Sequence, residues 1–186
     1  MKHTQTGLSG VFIIEPRVIK DNRGFFMECY VRRHFERLGV SVEFIQDNHS
    51  LSVAKGTVRG MHYQLPPEDQ AKLVRVVRGE ILNVIVDIRI GSPTYRRWEG
   101  VVLSAENRKM LFIPTGFANG YCTLAANTEV CYKVDRYYAP ELDRAFRWND
   151  PEIGIEWPVS DPVLSDRDRR APAFADADNN FRYEAG

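Results

Sequence analysis

The stretch VRGMHYQLPP, residues 58–67, sets an arginine, a histidine, a tyrosine and a glutamine in a run that otherwise reads as a strand. The histidine, His62, has a side chain whose charge changes near neutral pH, which makes it a candidate proton carrier. A histidine that moves protons needs an orienting acid, a pocket for the reacting carbon and a second proton donor. One that merely packs needs a single hydrogen-bond partner. Strict strand alternation places Arg59 and His62 on opposite faces. Gly60 lies between them and could carry a bulge that re-aims one of them, so that both face one pocket.

A histidine after a glycine-spaced strand also invites a metal cage. Such cages in β-barrels draw on an HxH pair, an acid and a later histidine in a PxGxxH segment. Here Gly56 precedes His62, but the second position of the pair is Gln64. The later segment is PTGFAN, with Asn119 at the histidine position. A transition metal asks for three or four good ligands, so a metal is not expected. His3 lies in a polar start and His34 beside arginines on a short helix. His49 follows QDN, where it could help shape a pocket.

The elements that must position these side chains are mostly strands. In ILNVIVDIRI, residues 81–90, Leu82, Val84, Val86, Ile88 and Ile90 share one face. Asn83, Asp87 and Arg89 take the other with Ile81 and Ile85. AKLVRVV precedes this run across RGE, a hairpin-like link containing Gly79. WEGVVLS and KMLFIP read as further short strands, and NGYCTL and TEVCYKV flank a turn at AAN. One short helix is expected in YVRRHFERLGV, where Val31, Phe35 and Leu38 fall at helical spacing and Gly39 stops it. The chain then turns irregular from WNDPEIGIEWPVSDP onward. Many short strands with Gly, Pro and Asn turns imply a β-sandwich or barrel.

With 186 residues the chain is long enough for one domain with a sizeable core. Lysine plus arginine equals aspartate plus glutamate at 25 each, so no bulk positive field draws it to nucleic acid. Any anionic ligand must be met by local arginines. Cys29, Cys122 and Cys131 are odd in number and lack a CxxC pair, which fits a reduced, cytoplasmic setting. The start, MKHTQTGLSG, has no apolar signal-like region, and no apolar run reaches membrane-span length.

Taken together, DNRGFFMECY, FIQDNHSLS, GTVRGMHYQLPP, KLVRVVRGEI, VDIRIGSPTY, IPTGFANGY, WNDPEIGIEWP and LSDRD are similar to the dTDP-4-dehydrorhamnose 3,5-epimerase family. They run in order over roughly residues 10–170. The resemblance implies an all-β, metal-free jelly roll (a cupin-type double-stranded β-helix) with short helices, working as a homodimer. It also implies an N-terminal dimer arm over about residues 1–50, a core over about 51–140 and a closing segment over about 141–186. The implied substrate is a nucleotide-linked 4-keto-6-deoxyhexose, whose C3 and C5 protons are acidified by the neighbouring ketone. Removing one leaves an enolate on O4, and reprotonation from the opposite face inverts the centre.

The resemblance assigns His62 as the base, with Asp168 of LSDRD as the acid that orients it; Asp166 is a rival two residues away. Tyr132 of VCYKV matches the opposing acid, and Lys72, with Arg59, stands near the enolate oxygen. One such donor is commonly worth roughly 3 kcal/mol of barrier. At the nucleotide end, Arg23 and Arg59 meet the diphosphate, Glu28, Gln46 and Asn48 match nucleotide-contacting positions, and Tyr138 stacks on the base. Arg23 and Glu28 sit on the arm that such proteins lend to a neighbouring subunit.

This chain also departs from the family pattern. Asn119 replaces a usual histidine, and Asn83 stands where an aspartate is common. Asparagine keeps a hydrogen-bond donor but cannot become cationic, so an altered balance between C3 and C5, or a different sugar, is expected. Two alternatives stay open: an epimerase acting at a single centre or on another nucleotide sugar, and a non-catalytic sugar-nucleotide binding module.

Overall fold

A computed structural model describes residues 1–184. In chain order the strands are β1 (Lys2–Gln5), β2 (Phe12–Glu15), β3 (Val18–Asp21), β4 (Gly24–Met27), β5 (Gln46–Ser52), β6 (Val58–Gln64), β7 (Lys72–Arg78), β8 (Glu80–Asp87), β9 (Trp98–Ser104), β10 (Met110–Ile113), β11 (Phe117–Thr123), β12 (Thr128–Val134) and β13 (Asp143–Ala145). Two short helices, α1 (Arg32–Glu36) and α2 (Asp166–Arg169), complete the regular elements that matter below.

Six strands form one sheet in the order β1-β2-β10-β7-β12-β5, and five form a second in the order β13-β6-β11-β8-β9. From β5 to β8 the chain changes sheet at every step, and it does so again from β9 through β13. This alternation winds the two sheets face to face as a double-stranded β-helix, the expected jelly roll. It also corrects the reading of the Gly79 link. Strands β7 and β8 follow one another in sequence, yet β7 pairs with β10 and β12 while β8 pairs with β9 and β11. The link at Gly79 is a corner between sheets, not a hairpin. Gly79 has φ of +76°, and a Cβ there would fall 2.3 Å from Thr128 Oγ1, so the corner admits no larger residue without a shift.

Three apolar clusters hold the layers. Val74, Val76, Ile81, Ile85, Leu103, Leu111, Phe117 and Val130 fill the space between the sheets. The outer face of the five-stranded sheet, with Val84, Val86 and Ile88, is covered by Phe146, Ile153, Phe174 and Phe181 from the closing segment. The outer face of the six-stranded sheet, with Leu73, Met110 and Phe112, is covered by Phe35 of α1 and by Val40. Fully burying one such side chain contributes about 1.5–3 kcal/mol. Strand β8 is thus buried on both faces, which explains why its apolar residues appear at odd and even positions alike. Helix α1 ends as expected, with Gly39 at φ of +81°.

Between the sheets, the inward positions change character along each strand. On β7 the inward row runs Lys72, Val74, Val76: the last two enter the core, and the first lies in a polar cavity. The same packing that closes one end of the roll therefore leaves the other end open to a ligand.

Candidate active site

The cavity has a volume of about 310 Å³. Strand β6 of the five-stranded sheet contributes Arg59 and His62 to it, β11 contributes Asn119 and Tyr121, and the opposite sheet contributes Lys72 and Tyr132.

Arg59 and His62 reach the same cavity because β6 is bulged. Along the β6–β11 ladder Asn119 faces His62 and Tyr121 faces Arg59, so two steps on β11 match three on β6. The extra residue shifts the alternation by one and brings both side chains inward. Gly60 makes this possible, with φ of +134° and its Cα so near β11 that an added Cβ would sit 2.5 Å from Gly120 Cα.

His62 Nε2 lies 2.5 Å from Asp168 Oδ1. Ser165 caps α2: its Oγ accepts from the Asp168 N–H at 3.1 Å and donates to Asp168 Oδ2 at 2.9 Å. This is a variant of the capping-box geometry, with the acid at the third helical position. Asp168 is 3% exposed. Burial pushes its carboxyl up, but the His62 hydrogen bond and charge, Ser165 and the Arg167 charge outweigh it and hold the group below the usual carboxylate range. Asp168 therefore stays ionised and fixes the imidazole it touches. The rival Asp166 is exposed and pairs with Arg170 at 3.6 Å.

Tyr132 stands across the cavity on β12. Burial, reinforced by nearby Tyr121, raises its phenol pKa, so it holds its proton at neutral pH. Lys72 keeps some surface open to the cavity, yet protein surrounds it closely enough for burial to lower its ammonium pKa to about 8. It has no ion-pair partner among the described residues, which leaves it available to an anion in the cavity. Arg59 is braced by bonds from Nε to Ser52 Oγ at 3.1 Å and from Nη2 to the Leu51 carbonyl at 3.0 Å.

Asn119 is 9% exposed and its Nδ2 donates to Asn83 Oδ1 at 2.7 Å and to the Val84 carbonyl at 3.0 Å. The donor that asparagine keeps at this position is thus spent within the sheet, on Asn83 and the Val84 carbonyl.

The remaining expected residues are placed elsewhere in the single chain. Gln46 donates to Asn48 Oδ1 at 2.8 Å, and both share the inward face of β5 with the cavity residue Ser50 without lining the cavity themselves. Tyr138 is exposed at the rim, donating to Asp143 Oδ2 at 3.1 Å; Asp143 in turn holds Arg167 of the cavity wall at 2.7 Å. Arg23 and Glu28 lie away from the cavity. Arg23 pairs with Asp21 at 2.6 Å near the tip of the two-stranded β3–β4 hairpin. Gln64, the failed second position of a metal pair, donates to the Tyr137 carbonyl and accepts from the Ala139 N–H, both at 3.0 Å. No group of three or more His, Cys, Asp and Glu residues suited to a metal occurs among the described residues.

Four polar cavity residues escaped the sequence reading: Ser50, Tyr121, Ser165 and Arg167. Ser50 Oγ and Tyr121 Oη share a 3.0 Å hydrogen bond. Strand period was the available signal for two of them, since Tyr121 lies two residues past Asn119 and Ser50 two past Asn48.

The open end of the jelly roll thus gathers a histidine–carboxylate pair, a tyrosine and a lysine, groups able to carry protons, around one cavity. The chain belongs to the dTDP-4-dehydrorhamnose 3,5-epimerase family, whose profile matches residues 5–176. It is 50% identical over 179 residues to the dTDP-4-dehydrorhamnose 3,5-epimerase of Shigella flexneri, covering 96% of this chain and 98% of that one. The dTDP-6-deoxy-D-glucose-3,5-epimerase of Legionella pneumophila, solved with dTDP-4-keto-L-rhamnose, superposes with a TM-score of 0.94 at 41% identity, covering 99% of each chain. The dTDP-4-dehydrorhamnose 3,5-epimerase of Bacillus anthracis, solved with TDP and PPi, superposes at 0.91 with 47% identity, covering 93% of this chain and 99% of that one.

Proposed function

We propose that this protein is an isomerase that inverts C3 and C5 of a dTDP-linked 4-keto-6-deoxyhexose, converting dTDP-4-dehydro-6-deoxyglucose to dTDP-4-dehydrorhamnose. The observation that carries this reading is the placement of His62 and Tyr132 on opposite sheets around one cavity. Inversion through an enolate needs one group to remove the proton and another to return a proton from the other face. His62, oriented by Asp168, takes the proton alpha to the ketone. The electron pair moves onto O4, beside the Lys72 ammonium. The Tyr132 hydroxyl then protonates the carbon from the opposite side. As it does so the ketone re-forms, and His62 then gives its proton to solvent while Tyr132 regains one from it, so each inversion brings in one hydrogen from solvent. The substrate's own ketone is the electron sink, and no step calls on a cofactor.

The nucleotide is met by Arg59 within the chain and by Arg23 and Glu28 from a second copy. The β3–β4 hairpin supports such a dimer: Ile19, Phe25 and Phe26 are 53%, 52% and 64% exposed around Arg23, an apolar surface suited to burial against a twin. Gln46, Asn48 and Tyr138 extend the nucleotide side of the mouth. No helix among the described residues is long and apolar enough to cross a membrane. The cysteines are free, in keeping with a cytoplasmic enzyme.

The test is incubation with dTDP-4-keto-6-deoxyglucose in heavy water, with deuterium read at C3 and C5 by NMR. Deuterium at both carbons, lost in His62→Ala, is the expected result. No exchange at either carbon sinks the reading. Exchange at one carbon alone supports the single-centre alternative.

A further inference from the structure

The two asparagines behind the cavity fix the polarity of one wall. Asn119 Nδ2 is 3.0 Å from the Val84 carbonyl oxygen, which can only accept. The amide of Asn119 therefore has one allowed orientation, because turning it over would set two oxygens against each other. Its second Nδ2 hydrogen goes to Asn83 Oδ1 at 2.7 Å. Both donors thus face the sheet. Oδ1 accepts no hydrogen bond among the described residues, and it is not among the sealed-off buried atoms that lack partners. Because Asn119 lines the cavity, that oxygen is the atom it offers to a ligand.

Asn83 is 0% exposed, and its Nδ2 is a buried donor with no partner. An orphan donor is destabilising. Its Oδ1, however, is the acceptor that helps hold Asn119. An aspartate in its place would remove the orphan but set a full negative charge in the sheet opposite a neutral amide.

We infer that Asn83 is a positioning residue and Asn119 a specificity determinant, the pair presenting one fixed, uncharged hydrogen-bond acceptor to a sugar hydroxyl. This rests on the nucleotide-sugar reading above. An enolate oxygen is itself an acceptor and is repelled by Oδ1, so O4 belongs on the Lys72 side of the cavity. A carbon bearing a free hydroxyl belongs against Asn119. The pair therefore orients the ring without taking part in proton transfer.

The experiment uses ligands that cannot react: dTDP-glucose and its 2-deoxy and 3-deoxy analogues, with affinities measured by titration calorimetry on the full chain. One deoxy analogue should bind wild type about five- to tenfold more weakly than dTDP-glucose, the usual worth of one hydrogen bond. That gap should close in Asn119→Ala. It should narrow in Asn83→Ala, where the amide is less firmly held, and return in Asn83→Ser, which restores an acceptor. Affinity for TDP alone reports folding, and Asn119→Leu, which also lacks an acceptor, replaces Asn119→Ala if the latter does not fold. No gap in wild type, or a gap that survives at full size in Asn119→Ala or Asn119→Leu, overturns the inference. A gap untouched in Asn83→Ala removes Asn83 from it. Failure of wild type to bind dTDP-glucose at all overturns the nucleotide-sugar reading instead.

Discussion

His62 and Asp168 are separated by 106 residues in the chain, and their side chains meet at 2.5 Å. The contact joins an inward position of a bulged strand to the third residue of a one-turn helix, and each end is set by a separate local device. Asp168→Asn keeps the shape but removes the charge that stabilises a protonated imidazole. Exchange at both sugar carbons should fall by about 10²–10⁴-fold, while dTDP binding changes little. The folded carboxyl titrates below its unfolded value, so its contribution to stability is present above about pH 3.9 and is lost as pH falls through the lower folded value. The difference in Tm between wild type and Asp168→Asn should accordingly shrink in acid. A difference that stays constant down to pH 2 would refute the linkage.

Lys72 sets the alkaline side. Its ammonium titrates at about 8 in the protein because burial disfavours the charge. It is cationic below that pH and neutral above it, where an enolate in the cavity would lose its counter-charge. The rate of exchange should decline as pH rises through about 8, and Lys72→Arg should move that decline upward, since a guanidinium stays charged. For stability the sign is opposite: the folded state binds fewer protons than the unfolded one between pH 8 and 10.5, so stability rises with pH across that window. Lys72→Met should therefore raise Tm at pH 7, by roughly 2–4 °C for each kcal/mol recovered, while slowing exchange. A lower Tm would contradict the assignment.

Gly60→Ala tests the bulge. The backbone there has φ of +134°, and the new methyl would sit 2.5 Å from Gly120 Cα. The combined cost should reach about 3 kcal/mol or more, which corresponds to roughly 6–12 °C in Tm. Activity should fall further than the loss of folded protein accounts for, because Arg59 and His62 lose their common aim. Full exchange activity at a temperature where the variant is folded would show that the bulge does not place them.

Mixed dimers test whether Arg23 serves the neighbouring subunit. Arg23→Ala and His62→Ala homodimers should each be weak. Co-assembled at equal amounts, half the dimers are mixed, and each mixed dimer has one site with both residues intact. Activity should recover to about a quarter of wild type. No recovery, with mixed dimers verified by sedimentation and mass, would place Arg23 in its own subunit's site, and a fully active Arg23→Ala homodimer would place it outside any site.

The strands were legible because alternation is a local signal, and so was the bulge, because a glycine sat between two polar residues that needed one face. The corner at Gly79 was misread for the same reason: period-two alternation says which residues share a face, not which sheet a strand joins. Asp166 and Asp168 could not be separated by pattern; burial and the Ser165 cap separate them. The polarity of Asn119 was out of reach, since it depends on the Val84 backbone carbonyl, a group that no side-chain pattern records. Arg167 was hidden between two aspartates in a run that reads as solvated surface.

Asp168 and the apolar cover of Phe146, Ile153, Phe174 and Phe181 all come from the closing segment. During synthesis His62 is made long before Asp168, and the outer face of the five-stranded sheet stays bare until the segment from Phe146 to Phe181 has left the ribosome. A nascent chain can thus hold most of both sheets while His62 still lacks its carboxylate partner. The histidine–carboxylate pair and the cover that shields the sheet from aggregation are completed together, late in the order of synthesis.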